Sequence, residues 1–268
     1  MQKAQILNAC HLKIIAMITM VIDHIGAYFL SRDTILYLCF RYIGRLSFPI
    51  FSFLLVEGIF HSRKPLMYLL RLFILGLIID IGSLVFLQEY IGSSVLTTFV
   101  ISGLTILILE KGKNWQKLFS IFPLTLGILS GFDFFPIKMQ YGPYGLTIIL
   151  IFYLSKKLAE YLSHYICSFG LNYQEYLKSA SFRIFYITIS IAINIVLSLI
   201  LVYFSSTFKQ IFTASDTNYV IQSFSIISLF LLLFYNGTRG YNKKWFQYGC
   251  YIFFPLHFII LYLIKLII

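Results

Sequence analysis

Charge is what this sequence has least of. Asp, Glu, Lys and Arg make up 12% of its 268 residues, against about 25% in soluble domains. A chain with so little polar surface cannot cover itself in water, which excludes an ordinary soluble domain. Acidic residues are the scarcest, ten against 21 Lys and Arg. Cysteine is sparse as well: Cys10, Cys39, Cys167 and Cys250 stand singly. No CxxC pair or His at ligand spacing accompanies them, so a disulfide framework or metal site is not expected and they are taken as packing residues. No Ser/Pro-rich linker and no internal repeat of useful fidelity is visible. The simplest organisation is therefore one integral-membrane domain over residues 1–268.

What the sequence has in abundance is hydrocarbon. It is 59% hydrophobic with a mean hydropathy of +0.86, and apolar runs recur from residue 12 to its end. An all-α, polytopic membrane helix bundle is expected. Runs of membrane-spanning length predict about nine transmembrane helices: 12–30, 35–60, 66–88, 91–109, 117–135, 144–163, 182–204, 217–235 and 246–268. Between the fifth and sixth, "GFDFFPIKMQYGPYG" can dip into the membrane. The segment 164–183 is too polar to span and is expected to be an interfacial helix or a plain linker. Met1–Lys13 mimics the start of a signal peptide. Yet no small-x-small cleavage site follows, and a signal core would not carry Asp23-His24, so the segment is expected to stay as the first helix.

The net charge of +11 would fit nucleic acid, but its distribution has a cheaper explanation. With the N-terminus inside, 15 of the 21 basic residues fall on inner segments and four on outer ones; Arg41 and Arg45 lie within the second span. This is the positive-inside bias. It places the N-terminus in the cytoplasm and removes the need for a nucleic-acid partner. A multi-pass protein of the cell membrane is expected.

Ionisable residues inside spans are costly, about 2.5–3.5 kcal/mol each at a lipid-facing centre, and mark function. Here they cluster early and late: Asp23, His24, Arg41, Arg45, Glu57, Asp80 and His257. Lys13 and His24 are eleven residues apart, which puts them on one helix face about 16 Å apart along the axis. A lysine at the mouth and an imidazole at depth suit a long anionic donor whose reactive end reaches inward. Asp23 sits about 100° round the helix from His24 and is better placed to orient Arg41 or Arg45. Those two are four apart on one face. Asp23 can serve one; the other then needs Asp80 or a bound anion. Pro49 loosens the helix just beyond them and frees a carbonyl. The bland alternative is a structural salt-bridge network with a satisfied bundle histidine. Glu57, just before His61, Arg63 and Lys64, is expected to be solvated or interfacial. His257 is as consistent with a structural hydrogen bond as with a site. "YNGTRG", residues 235–240, either cradles a phosphate near Arg239 or simply ends a helix.

Taken together, these motifs resemble the TraX family, whose namesake acetylates the N-terminus of a conjugative pilin. The resemblance rests on "LKIIAMITMVIDHIGAYF" and "RYIGRLSFPIFSFLLVEGIFHSRK" at the start, and on "YNGTRG" and "FFPLHFIILYL" at the end. The middle, about 110–220, matches only as hydrophobic spans around "YGPYG". The family in turn resembles the membrane-bound acyltransferases of the Arg/Lys-x10-His (acyltransferase-3) type; Lys13 and His24 fit that spacing, and Arg41-x3-Arg45 looks like its companion motif.

This resemblance implies an acetyl-CoA-dependent membrane acyltransferase. His24 and Asp23 would form the catalytic pair, His24 as acid–base group or transient acyl carrier. Lys13, Arg41 and Arg45 would hold the acyl-CoA phosphates or its thioester end, Arg239 the nucleotide part, and His257 would line the cavity. The acceptor would be an amine or hydroxyl of a peptide N-terminus, a glycan or a small molecule. A secondary transporter would also bury charge at the midplane, but paired broken helices are not visible. A non-catalytic assembly scaffold would tolerate loss of His24; the enzyme would not.

Overall fold

The computed structural model describes residues 5–87, 93–132, 134–168, 170–204 and 224–267. In chain order its helices are α1 (Ala9–Phe29), α2 (Ile35–Gly44), α3 (Ser47–His61), α4 (Pro65–Leu87), α5 (Val95–Lys111), a 3-10 turn (Gln116–Ser120), α6 (Ile121–Leu129), α7 (Gly142–Cys167), α8 (Tyr173–Lys178), α9 (Ala180–Tyr203), α10 (Ile226–Leu232) and α11 (Lys244–Ile267). The described residues contain no strand; two isolated bridges, Leu7 with Tyr235 and Ser93 with Met139, tie loops together. The all-helical class is therefore as the hydropathy pattern implies. Among the described residues, five stretches are long and apolar enough to cross a membrane: Ala9–Phe29, Ile35–His61, Pro65–Val85, Ala180–Tyr203 and Lys244–Ile267. The run expected at 117–135 is instead a 3-10 turn followed by the nine-residue α6. Most of the run expected at 217–235 lies outside the described residues. Within 164–183, α7 extends to Cys167 and Asn172 caps the six-residue α8.

The run 35–60 is two helices. Pro49 has no N–H to give to the carbonyl four residues back, that of Arg45. The ladder stops there: α2 ends at Gly44 and α3 starts at Ser47. Pro49 then sits in the first turn of α3, where a missing donor costs nothing.

The chain divides into two compact units. The first comprises Met1–Phe51, Leu154–Ile200 and Tyr219–Ile268, the second Ser52–Tyr153 and Leu201–Asn218. In the first, α1 and α2 form an antiparallel hairpin and α11 packs along α1. The hairpin closes on glycine: a Cβ on Gly26 would lie 2.7 Å from the Cβ of Phe40. The segment before α1 pairs with the 235–240 loop, Leu7 N donating to Phe234 O at 2.9 Å and Asn236 N to Leu7 O at 2.8 Å.

In the second unit, α4 packs on α5, and α5 on the 3-10 turn and α6. The side chain of Asp80 accepts from the Ser94 amide at 2.7 Å, capping the start of α5. The loop after α6 is tied to the same place, with Ser93 N donating to Lys138 O at 2.7 Å and Gln140 N to Ser93 O at 3.1 Å. Glu57 is not the solvated acid its basic neighbours suggest. It is buried, with a carboxylate oxygen 3.6 Å from Nδ1 of His61 one turn on, because α3 carries apolar residues all round and packs inward at this level.

Candidate functional site

Each residue of the candidate site that lies within a helix is placed by α1, α2 or α11, all in the first unit. Asp23 lies near the C-terminal end of α1. Its carboxylate is held by both arginines, Arg41 of α2 and Arg45 just past its end: Nη1 of Arg41 lies 2.8 Å from Oδ2, while Nη2 of Arg45 reaches Oδ1 at 3.1 Å and Oδ2 at 3.2 Å. The side chains of Arg45, Asp23 and Arg41 are 10%, 13% and 23% exposed. One carboxylate thus serves two guanidiniums, and the trio carries a net charge of +1 away from bulk water. This corrects the expectation that Asp23 could satisfy one arginine only. Asp80, the alternative partner, is engaged by Ser94 in the other unit.

Sequence reasoning missed Gly44. A Cβ on Gly44 would fall on the carboxylate of Asp23, so only glycine leaves room for the acid between the arginines. The available signal was its position three residues after Arg41, on the same helix face.

Beside this trio stand two imidazoles. The rings of His24 on α1 and His257 on α11 have centroids 5.1 Å apart, and Phe258 packs against both, at 4.5 and 4.2 Å. Each ring bonds the carbonyl one helical turn back through Nδ1: His24 to Met20 at 2.8 Å, His257 to Phe253 at 3.0 Å. A carbonyl only accepts, so in the neutral ring Nδ1 carries the hydrogen and Nε2 the lone pair. His257 is 5% exposed, and its Nε2 is buried with no hydrogen-bond partner among the described residues. A buried, unpartnered acceptor is uncommon enough to need a cause.

A second group gathers at the other end of α1. Asn8 caps the helix, its side chain accepting from His11 N at 2.9 Å. The amides of Ala9 and Cys10 donate to the carbonyls of Thr238 and Arg239 at 2.9 and 3.1 Å. The "YNGTRG" loop is therefore the cap of α1. Its left-handed glycines serve close packing, Gly237 against the Arg183 side chain and Gly240 against Asn8. The same bonds bring exposed Arg239 to the end of α1 that carries half-buried Lys13. Lys13 and Arg239 thus lie at one end of α1, and Asp23, His24, Arg41, Arg45 and His257 are brought together toward the other. From Cys10 to His24 the helix rises about 21 Å. Beyond His24, Tyr28 packs its ring 6.4 Å away, and Lys265 of α11 stands 5.6 Å over that ring. Among the described residues, no group of His, Cys, Asp or Glu is arranged to hold a metal ion.

Helices of membrane-spanning length that gather two guanidiniums, a carboxylate and two imidazoles in one partly buried cluster define an all-helical, membrane-like protein with a polar cluster. The particular family follows from sequence comparison: the model described as "TraX protein" matches residues 9–265, and the chain belongs to the TraX family. The "Probable fimbrial assembly protein FimC, serogroup H1" of Dichelobacter nodosus is 28% identical over 262 residues, covering 95% of this chain and 94% of its own length. The "Uncharacterized protein RP591" of Rickettsia prowazekii (strain Madrid E) is 32% identical over 85 residues, 32% of this chain and 31% of its own. No solved structure matches.

Proposed function

We propose that this chain is an integral-membrane acyltransferase of the bacterial cytoplasmic membrane, with nine spans and a cytoplasmic N-terminus. It moves an acetyl or other short acyl group from acyl-CoA to an amine or hydroxyl. The observation that carries this reading is the pair of imidazoles, half-buried His24 and buried His257, each bonding a carbonyl through Nδ1, beside the cluster of Asp23 with Arg41 and Arg45. The family, and the fimbrial assembly name of the relative that matches nearly end to end, favour the N-terminus of a pilin-like peptide as acceptor.

In this reading Lys13 and Arg239 hold the phosphates of the donor at the cytoplasmic end of α1, and the pantetheine arm runs along α1 toward His24. The acceptor nitrogen attacks the thioester carbonyl. The C–S bond breaks as the C–N bond forms, and the proton leaving nitrogen is taken by Nε2 of His24. The thiolate departs and is protonated, giving free CoA. Arg41 and Arg45 stabilise the oxygen that becomes anionic in the transition state, and Asp23 fixes them in place. His257 completes the pocket wall and offers a second acceptor for the proton. Incubating purified protein with acetyl-CoA and a pilin-like peptide, and following free thiol, tests the reading. Release that disappears in a normally expressed His24→Ala variant supports it; equal release by that variant overturns the role of His24.

A further inference from the structure

The second unit contains an apolar groove that the acyl-transfer reading does not use. It has a volume of about 270 Å³ and runs between α5 and the short helical segment that follows it. One wall is the stripe Ile101, Leu104 and Ile108 of α5, spaced three and four residues apart on one face. The other is Phe119, Phe122 and Leu126, spaced the same way across the 3-10 turn and α6. No polar side chain lines it. A Cβ on Gly127 would lie 2.8 Å from Leu146, so α6 is seated there, while Phe119 and Phe122, 60% and 69% exposed, border an open side.

The two ends of this groove differ in chemistry. From Ile101 to Ile108 the α5 stripe rises about 10 Å and leads to Lys111, the last residue of α5. The connection that begins the opposite wall is "KGKNWQK", residues 111–117. Its lysines 111, 113 and 117 are exposed and Trp115 is 61% exposed. A slot that is cationic and tryptophan-edged at one end and hydrocarbon along the rest has the polarity of a phospholipid with an anionic headgroup. Basic clusters at the ends of membrane helices attract such headgroups, and tryptophan settles at their depth. A soluble anion would leave the apolar length unused, and a zwitterionic lipid would leave the lysines unneutralised.

We infer that the α5–α6 groove is a binding site for one acyl chain of an anionic phospholipid, whose phosphate is held by Lys111, Lys113 and Lys117. The chain carries two tryptophans, Trp115 and Trp245, so Trp245→Phe leaves Trp115 as the reporter. The experiment reconstitutes this protein into phosphatidylcholine nanodiscs holding a minor share of a lipid brominated near the headgroup end of its chains. That lipid is either phosphatidylglycerol or phosphatidylcholine. Quenching of Trp115 is expected to be several-fold stronger with the anionic lipid. The excess should vanish when all three lysines become glutamine. With Leu104→Phe and Leu126→Phe filling the groove, the excess should likewise fall, and an excess unchanged by filling would overturn the acyl-chain site. Equal quenching by the two lipids in the otherwise unaltered protein would overturn the site as mere annular contact, and that comparison needs no lysine or groove variant to fold. An excess that survives the lysine triple variant would overturn the headgroup assignment.

Discussion

Gly44→Ala is the substitution that most sharply separates this structure from a generic helical bundle. The added methyl would fall on the Asp23 side chain, Cβ and carboxylate alike, and the α1–α2 hairpin, closed by Gly26 against Phe40, cannot simply widen. The carboxylate must leave, and three contacts of 2.8–3.2 Å to Arg41 and Arg45 go with it. Removing one partner of a buried ion pair costs about 3–5 kcal/mol. Arg41 keeps partial access to water, so the expected loss is near the lower end, about 3 kcal/mol. For a chain of this size that is about 6–12 °C in unfolding temperature, readable from tryptophan fluorescence in detergent. Gly249→Ala is the control. Nothing lies within 4 Å of its Cβ position in the interior of α11, so it should gain up to about 1 kcal/mol from helix propensity. The cause is isolated by a double-mutant cycle. With Asp23→Gly already present neither the Cβ nor the carboxylate is there to displace, and Gly44→Ala should add little. A Gly44→Ala protein as stable as its parent, or one equally damaged with and without Asp23, would refute the argument.

Transfer activity should fall on acidification and lose its His24 dependence. A proton on Nε2 removes the lone pair that accepts the acceptor's proton, so the active form is the neutral one, and the pH–rate profile of thiol release reads this directly. Arg45→Lys keeps the charge but not the fork that reaches both oxygens of Asp23. About 2 kcal/mol of clamp strength should be lost, seen as a drop in unfolding temperature, with the Arg41 contact to Asp23 left in place. Asn8→Ala removes the cap on His11 N and should cost about 1 kcal/mol, measured by chemical unfolding, with the loop bonds to Ala9 and Cys10 left in place. Gly240→Ala should cost more than the cap alone, since the residue is left-handed and its Cβ would meet Asn8.

The helical class and the first and last spans were legible because apolar runs of membrane length have few other outcomes. The charged residues worth attention were legible for the same reason: hydrocarbon makes each one costly, so Asp23, His24, Arg41, Arg45 and His257 stood out before any of them had a place. Their mutual arrangement was not legible. Helix periodicity relates residues on one helix, but the sharing of Asp23 by two arginines depends on how closely α2 approaches α1, and that is decided by Gly26 and Gly44. The split of the second run at Arg45 could have been read from Pro49, whose missing donor faces that carbonyl. The 235–240 loop left two readings open, an anion cradle or a helix stop, for a similar reason. Its glycines admit Arg183 and Asn8, two side chains distant in sequence, and composition does not reveal such contacts. Glu57 misled because its basic neighbours suggested an interface while its helix is buried.

The most direct test of the central claim supplies purified protein in nanodiscs with deuterium-labelled acetyl-CoA and a pool of membrane peptides and glycans, then searches the products by mass spectrometry. The account predicts a labelled acetyl group on an amine or hydroxyl product, formed by the unaltered protein and absent with His24→Ala. Products bearing the label in equal amount with both proteins, or bound acetyl-CoA that never yields a labelled product from any acceptor in the pool, would contradict it.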